Sequence, residues 1–324
     1  MQSWIFVAGV GLLAAAYALG RTGDPFRAAL AIGLSGFAIV VAALVAWREL
    51  GAYSREIVHV PAGKNSLEGT LYVPRDSVAA RSAILIVHGS GPVTRAAYHL
   101  FADRLARAGH IVLNVDKRGV GGSSGAYHGD DIGGVTSLVA RSDDAIAALR
   151  FLHNDPRVDP TAIGMFGISQ GAWVVPMVAQ RDSSLRFAVI MSGPAVSSGE
   201  EEEFSRLTNE RADHFGRKPP PLAFSEVDRR MRSVSPSGFD PRPELARLRT
   251  PTLWLFGDWD NSIPVDASVR VLDTLRSLGS PVTIRRFAEA NHGLMIARGP
   301  SGRAFSRFAP GLWDTVGSWL VRRR

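Results

Sequence analysis

The chain has 324 residues, 46% hydrophobic and 21% charged, with a formal net charge of +7. That is globular composition, enough for one large α/β domain or two small ones. The positive charge is spread over separate Arg and Lys residues, which argues against a nucleic-acid partner, and Arg322-Arg323-Arg324 reads as a solvated helix end. The lack of cysteine excludes disulfides, thiolate metal sites and a Cys nucleophile.

Residues 1–50 stand apart. Residues 4–20 are an uncharged, mostly apolar run, and residues 28–47 are a second. Each approaches the roughly 20 helical residues that cross a bilayer core. Arg21, Asp24 and Arg27 fall between them, so the segment is expected to be a two-helix membrane hairpin. Ala16-Tyr17-Ala18 could serve as a signal-peptide cleavage site, but no basic residue precedes the first run. In either case the second run would remain as an anchor. With the first helix dominant, the Arg21 and Arg27 loop would be cytoplasmic and the catalytic side of this multi-pass protein would face outward.

Residues 51–324 read as a single α/β unit. Residues 56–61 and 67–74 are expected as edge strands around a turn at Gly63. A continuous apolar run at 82–88 predicts a strand buried on both faces of a parallel sheet, 110–116 reads as a second buried strand, and 162–169, 187–192, 252–257 and 282–287 as further strands. Between them, helical spacing covers 96–108, with Leu100, Phe101, Leu105 and Ala108 on one face, and 137–153, with Ile146, Leu149 and Leu152 inward. Further helices are expected at 171–181, 265–278 and 312–321. The alternation predicts a doubly wound, mostly parallel sheet. Residues 194–249 break it with an acid run, a Pro run and no clear strand, too long for an ordinary connection. They are read as a helical cap inserted between two strands.

Two stretches fit G-x-S-x-G: Gly121 to Gly125 around Ser123, and Gly167-Ile168-Ser169-Gln170-Gly171. The pattern alone is weak, and its setting decides. Ser123 follows a Gly-rich loop and leads into no helix. Ser169 lies between an apolar strand and the helix-competent Ala172-Trp173-Val174-Val175. Gly167 and Gly171 would leave room for the sharp turn that exposes the Ser169 hydroxyl. Such a Ser needs a base, and the base an orienting acid. Asp258 and Asp260 follow the strand at 252–257, and His292 follows the last strand. The order Ser, Asp, His suits a nucleophile elbow. His59, His99, His110, His128, His153 and His214 precede the acids and are read as surface or structural. Backbone N–H groups of Gln170, at a helix N-terminus, and of Ser90, in the His88-Gly89-Ser90-Gly91-Pro92 loop, are the expected oxyanion donors. His88 would brace that loop. No metal cluster is evident, and Gly119-x-Gly121 lacks the context of a dinucleotide site, so no cofactor is expected.

From Glu56 onward the chain resembles an α/β-hydrolase, in the serine esterase branch near dienelactone hydrolases and prolyl oligopeptidases. The stretches that carry the resemblance are Leu67-Glu68-Gly69-Thr70-Leu71-Tyr72-Val73-Pro74, the His88 loop, Asp116-Lys117-Arg118-Gly119-Val120-Gly121-Gly122-Ser123, and Asp159-Pro160 ahead of the elbow. It implies that the triad acid is Asp260, three residues after Gly257 and shortly before Pro264. It also implies that Asp116 and Arg118 are scaffold. Relatives often carry His or Glu beside the nucleophile, where this chain has Ile168 and Gln170. The implied activity is hydrolysis of a carboxylic ester through an acyl-enzyme, and the anchor, by its location, points to a lipophilic one. An amidase or peptidase, a thioesterase or acyltransferase, and a non-catalytic membrane-tethered binder on the same fold are the rivals.

Overall fold

The computed structural model describes residues 17–18, 24–75, 80–128, 134–208, 222–297 and 304–323. The chain divides into two compact units, Met1–Ser54 and Arg55–Arg324.

In the first unit, helix α1 spans Pro25–Gly51. Asp24 caps it, accepting the Phe26 N–H at 2.9 Å, and Pro25 sits where its missing N–H costs nothing. Pro25–Leu44 has a mean hydropathy of 2.0 and is only 11% buried. Ile32, Phe37, Ile39, Val40 and Leu44 are exposed. A helix of this length and composition fits a membrane anchor or a signal sequence. It is the one such helix among the described residues. Of the other expected span, residues 17–18 are helical and the rest lies outside the described residues. The two-span, multi-pass arrangement is therefore not supported by the structure.

The second unit is built on an eight-stranded sheet of order β1-β2-β4-β3-β5-β6-β7-β8. The strands are β1 Tyr53–Ala62, β2 Asn65–Pro74, β3 Arg81–Val87, β4 Ile111–Val115, β5 Val158–Ile168, β6 Leu185–Met191, β7 Thr252–Gly257 and β8 Val282–Phe287. Strand β2 runs antiparallel to β4, and every pairing from β4 through β8 is parallel. Burial follows position. Every residue of β3 and β7 is buried, whereas β1 alternates and β8 is half open, as expected of edges. Helices α2 (His99–Arg107), α3 (Val135–His153), α4 (Gly171–Ala179), α8 (Val265–Ser277) and α9 (Leu312–Val321) flank the sheet. Helix α3 buries Ile146, Leu149 and Leu152, as its spacing predicts.

The face expected of the 96–108 helix is displaced. A 3-10 turn at Arg95–Tyr98 precedes α2, which buries Ala102, Leu105 and Ala106 and leaves Leu100 exposed. Ala102, Leu105 and Ala106 share a face at i, i+3 and i+4, rotated from the one that Leu100 and Ala108 would define.

Between β6 and β7 lie α5 (Ser198–Leu207), α6 (Phe224–Met231) and α7 (Arg242–Ala246). Phe204, Leu207, Val227 and Met231 give this insertion a small apolar core of its own. The acid run begins α5 with a capping box: Ser197 accepts the Glu200 N–H, and Glu200 accepts the Ser197 N–H at 2.9 Å. Strands β9 (Met295–Ala297) and β10 (Ala304–Phe308) pair antiparallel, and neither shows in the apolar pattern of the sequence.

Candidate active site

Strands β5, β7 and β8 all deliver their C-terminal ends to the same edge of the sheet, the edge where open α/β sheets hold their ligands. Ser169 follows β5 directly. Its N–H continues the ladder to the Met191 carbonyl at 2.9 Å, and its φ is 52°. A left-handed φ at a non-glycine residue costs on the order of 1–3 kcal/mol and is held only where the surroundings impose it. Here hydrogen bonds on both sides hold it, the Ser169 N–H to Met191 and the Ala172 N–H to the Ser169 carbonyl (2.9 Å), and the neighbouring glycines leave room for the turn. A Cβ on Gly171 would lie 2.5 Å from the Val87 carbonyl, and one on Gly167 would lie 3.0 Å from Val175 and 3.1 Å from the Gly171 carbonyl. Helix α4 can therefore start against the end of β3 only with glycine there. Ser123 is different. It is buried, donates to the Asp116 carbonyl at 2.8 Å and accepts the Glu68 N–H at 2.9 Å. Its hydroxyl is a structural tie between a Gly-rich loop and β2.

Asp260 lies in the loop after β7 and is 2% exposed. Its Oδ1 accepts the N–H groups of Ser262 (2.9 Å) and Ile263 (3.1 Å). His292 Nδ1 stands 2.8 Å from Asp260 Oδ2 and 3.0 Å from Oδ1. Asp258, two residues earlier, instead accepts from Arg286 Nε at 2.6 Å. The carboxylate and imidazole meet because their loops are laced together. Asp258 N–H donates to the Phe287 carbonyl (3.0 Å) and Trp259 N–H to the Ala290 carbonyl (2.9 Å). Ser169 makes no side-chain hydrogen bond to a described residue, and such a contact often closes only when substrate binds.

Gly257 permits the lacing. A Cβ there would stand 2.3 Å from the Ala290 carbonyl and 2.6 Å from that of Asn291. Backbone cannot yield as a side-chain tip can. Gly257→Ala should push the His292 loop off Asp260 and lower kcat about 10²-fold, the usual cost of a roughly 1 Å misplacement. Overpacking should also cost about 1–3 kcal/mol. Steady-state kinetics beside a thermal melt check both, and wild-type kcat would contradict the account.

The loop after β3 approaches Ser169 from the other side. A Cβ on Gly89 would be 3.1 Å from Ser169 Cβ. His88 is fully enclosed: Nε2 faces Asn114 Oδ1 at 2.7 Å, and the ring stacks on Tyr98 at 4.0 Å. Burial brings it down to about 3, so it stays neutral and braces the loop. Asp116 accepts the Arg95 N–H (2.6 Å), and Arg118 pairs with Asp144 at 2.6 Å. Gln170, the first residue after the nucleophile, is the N-cap of α4. Among the described residues no His/Asp/Glu cluster could hold a metal ion.

The family model described as prolyl oligopeptidase family matches residues 98–304, a span that contains Ser169, Asp260 and His292. The chain belongs to the prolyl oligopeptidase family. It is a serine hydrolase on the α/β-hydrolase fold, and solved structures agree on the fold. The Pyrococcus furiosus esterase Pf2001 is similar with a TM-score of 0.59 at 18% identity, over 84% of this chain and 93% of that one. The Pyrococcus horikoshii acylaminoacyl peptidase has a TM-score of 0.61 at 18% identity, over 87% of this chain but 43% of that one. A dienelactone hydrolase from Anabaena variabilis reaches 0.51 at 16% identity, over 84% and 97%. No curated protein sequence matches the chain.

Two residues beside the candidate site, Lys117 and Arg141, are given no role in the reading from sequence. Lys117 Nζ donates to the carbonyls of Gly89 (2.6 Å) and Gly91, and Arg141 donates to the His88 carbonyl and to Gln170 Oε1. Their side chains cross from the loop after β4 and from α3. No spacing in the sequence announces that.

Proposed function

We propose that the chain hydrolyses carboxylic esters through an acyl-enzyme, with Ser169 as nucleophile, His292 as base and then acid, and Asp260 as the group that orients the imidazole. The observation that carries this reading is the two-oxygen contact of Asp260 with His292 Nδ1. It leaves Nε2 as the nitrogen that can serve a strained serine at the same sheet edge. Ser169 attacks the carbonyl carbon, and its proton goes to Nε2. The oxyanion takes hydrogen bonds from the Ser90 and Gln170 backbone N–H groups. Collapse expels the alcohol, which takes the proton from Nε2. Water then repeats the cycle and releases the acid.

Esters are preferred on chemical grounds. An alkoxide leaves with little help, whereas an amine must be protonated as it leaves. The family and the acylaminoacyl peptidase likeness favour a second reading, an amidase or peptidase using the same residues. Helix α1 is proposed as a membrane anchor, because its large apolar side chains are exposed within its own unit. The insertion at 194–249 is proposed as a cap over the site. A single panel on salt-washed membranes tests these readings: p-nitrophenyl esters of increasing chain length beside aminoacyl-p-nitroanilides, with fluorophosphonate labelling. Labelled, membrane-bound protein with faster ester turnover is expected. Faster anilide turnover would select the peptidase, activity in the wash would remove the anchor, and unlabelled protein would point to a binder.

A further inference from the structure

Two cations close on the back of the loop after β3. Lys117 Nζ donates to the Gly89 carbonyl at 2.6 Å and also to that of Gly91. Arg141 donates to the His88 carbonyl and, at 3.4 Å, to that of Gly89. Three carbonyls from four consecutive residues are thus held by side chains of two separate elements. Neither cation has a carboxylate within salt-bridge distance among the described residues. Arg141 also donates to Gln170 Oε1, so one guanidinium ties the backbone of the loop after β3 to the side chain of the residue that follows Ser169.

A trans peptide unit points its C=O and N–H in opposite directions. The Gly89 carbonyl and the Ser90 N–H belong to one such unit. Drawing that carbonyl back onto Lys117 and Arg141 turns the Ser90 N–H away from the cations. The preceding N–H, that of Gly89, is already committed to Tyr98 Oη at 2.9 Å. Ser90 therefore carries the next N–H in the loop, beside a glycine packed against Ser169.

We propose that Lys117 and Arg141 are positioning residues for the oxyanion hole, fixing the Ser90 and Gln170 N–H groups by gripping the backbone and side chain behind them. This rests on the acyl-enzyme reading above. They act through the loop and touch no substrate. Holding the cations there is costly: desolvation brings Lys117 down to about 7, with the Arg141 charge adding to it, and Arg141 down to about 10. The ring of Tyr127, 5.9 Å from Lys117 Nζ, is a partial compensation. Charge-assisted hydrogen bonds to carbonyls are the other.

The test uses the full-length protein with Lys117→Met, Lys117→Arg and Arg141→Lys, and Ser169→Ala alongside. The readouts are kcat, KM and the Ki of an alkylboronic acid, which forms a tetrahedral adduct on serine. Lys117→Met should lower kcat on the order of 10²-fold, as when one oxyanion donor is lost, with KM changed less than about threefold. Boronate affinity should fall in proportion to kcat. Lys117→Arg, which keeps a donor at the loop, should recover at least about tenfold of the loss. Arg141→Lys, the milder change should Lys117→Met fail to fold, should lose about tenfold in kcat and in boronate affinity together. Wild-type kcat in the folded variants, or a kcat loss without loss of boronate affinity, overturns the inference while the Ser169 reading stands. Turnover surviving in Ser169→Ala overturns both.

Discussion

Ser169→Ala should remove ester turnover by roughly 10⁶-fold, leaving only the small acceleration that binding and the oxyanion donors supply. The substitution is well suited to isolate chemistry from folding. Ser169 sits at φ 52° whether it is Ser or Ala, so the backbone strain is already present. Its hydroxyl makes no hydrogen bond to a described residue, so truncation orphans no buried partner. Stability should therefore move by no more than about 0.5 kcal/mol. The matching substitution at the other G-x-S-x-G, Ser123→Ala, should behave in the opposite way. It removes a hydroxyl that bridges the Asp116 carbonyl and the Glu68 N–H inside the protein. That should cost about 1–3 kcal/mol with kcat nearly intact. Kinetics and melts on the two variants separate the roles. More than about a hundredth of wild-type turnover in Ser169→Ala would exclude a serine acyl-enzyme.

The fold was legible where burial is uniform and opaque where it is not. Strands β3 and β7 read as continuous apolar runs because both faces are covered, and the sequence of their burial matches. Strands β9 and β10 are short and pair with each other, so no buried run announces them. The inward face of α2 was misplaced because two of its three buried residues are Ala102 and Ala106, whose small side chains carry less apolar signal than the exposed Leu100. At the candidate site, chain order pointed to Ser, Asp and His, because each lies just past a strand end and strand ends are readable. Local context also separated Ser123 from Ser169. The grip of Lys117 and Arg141 was not readable. It is a contact between side chains and backbone carbonyls 26 and 53 residues away, set by packing between elements.

The second large effect falls on Asp260→Asn, which should cut kcat about 10⁴-fold while keeping the volume of the side chain. The reason lies in which oxygen does what. Oδ1 receives the Ser262 and Ile263 N–H groups, and both are fixed by the turn after β7. An asparagine must put its oxygen there, since its NH₂ would face two donors. Its Nδ2 then takes the place of Oδ2, 2.8 Å from His292 Nδ1 in the native protein. An amide N–H in that position requires Nδ1 to be an acceptor. The imidazole proton moves to Nε2, and the base can no longer take the proton of Ser169. The loss is thus one of tautomer, with the ring still in place and the melting temperature close to wild type. Nitrogen NMR of the His292 ring reads it directly: the protonated nitrogen should be Nδ1 in the wild type and Nε2 in the variant. A kcat loss below about tenfold, or a proton still on Nδ1, would remove Asp260 from the role argued for it.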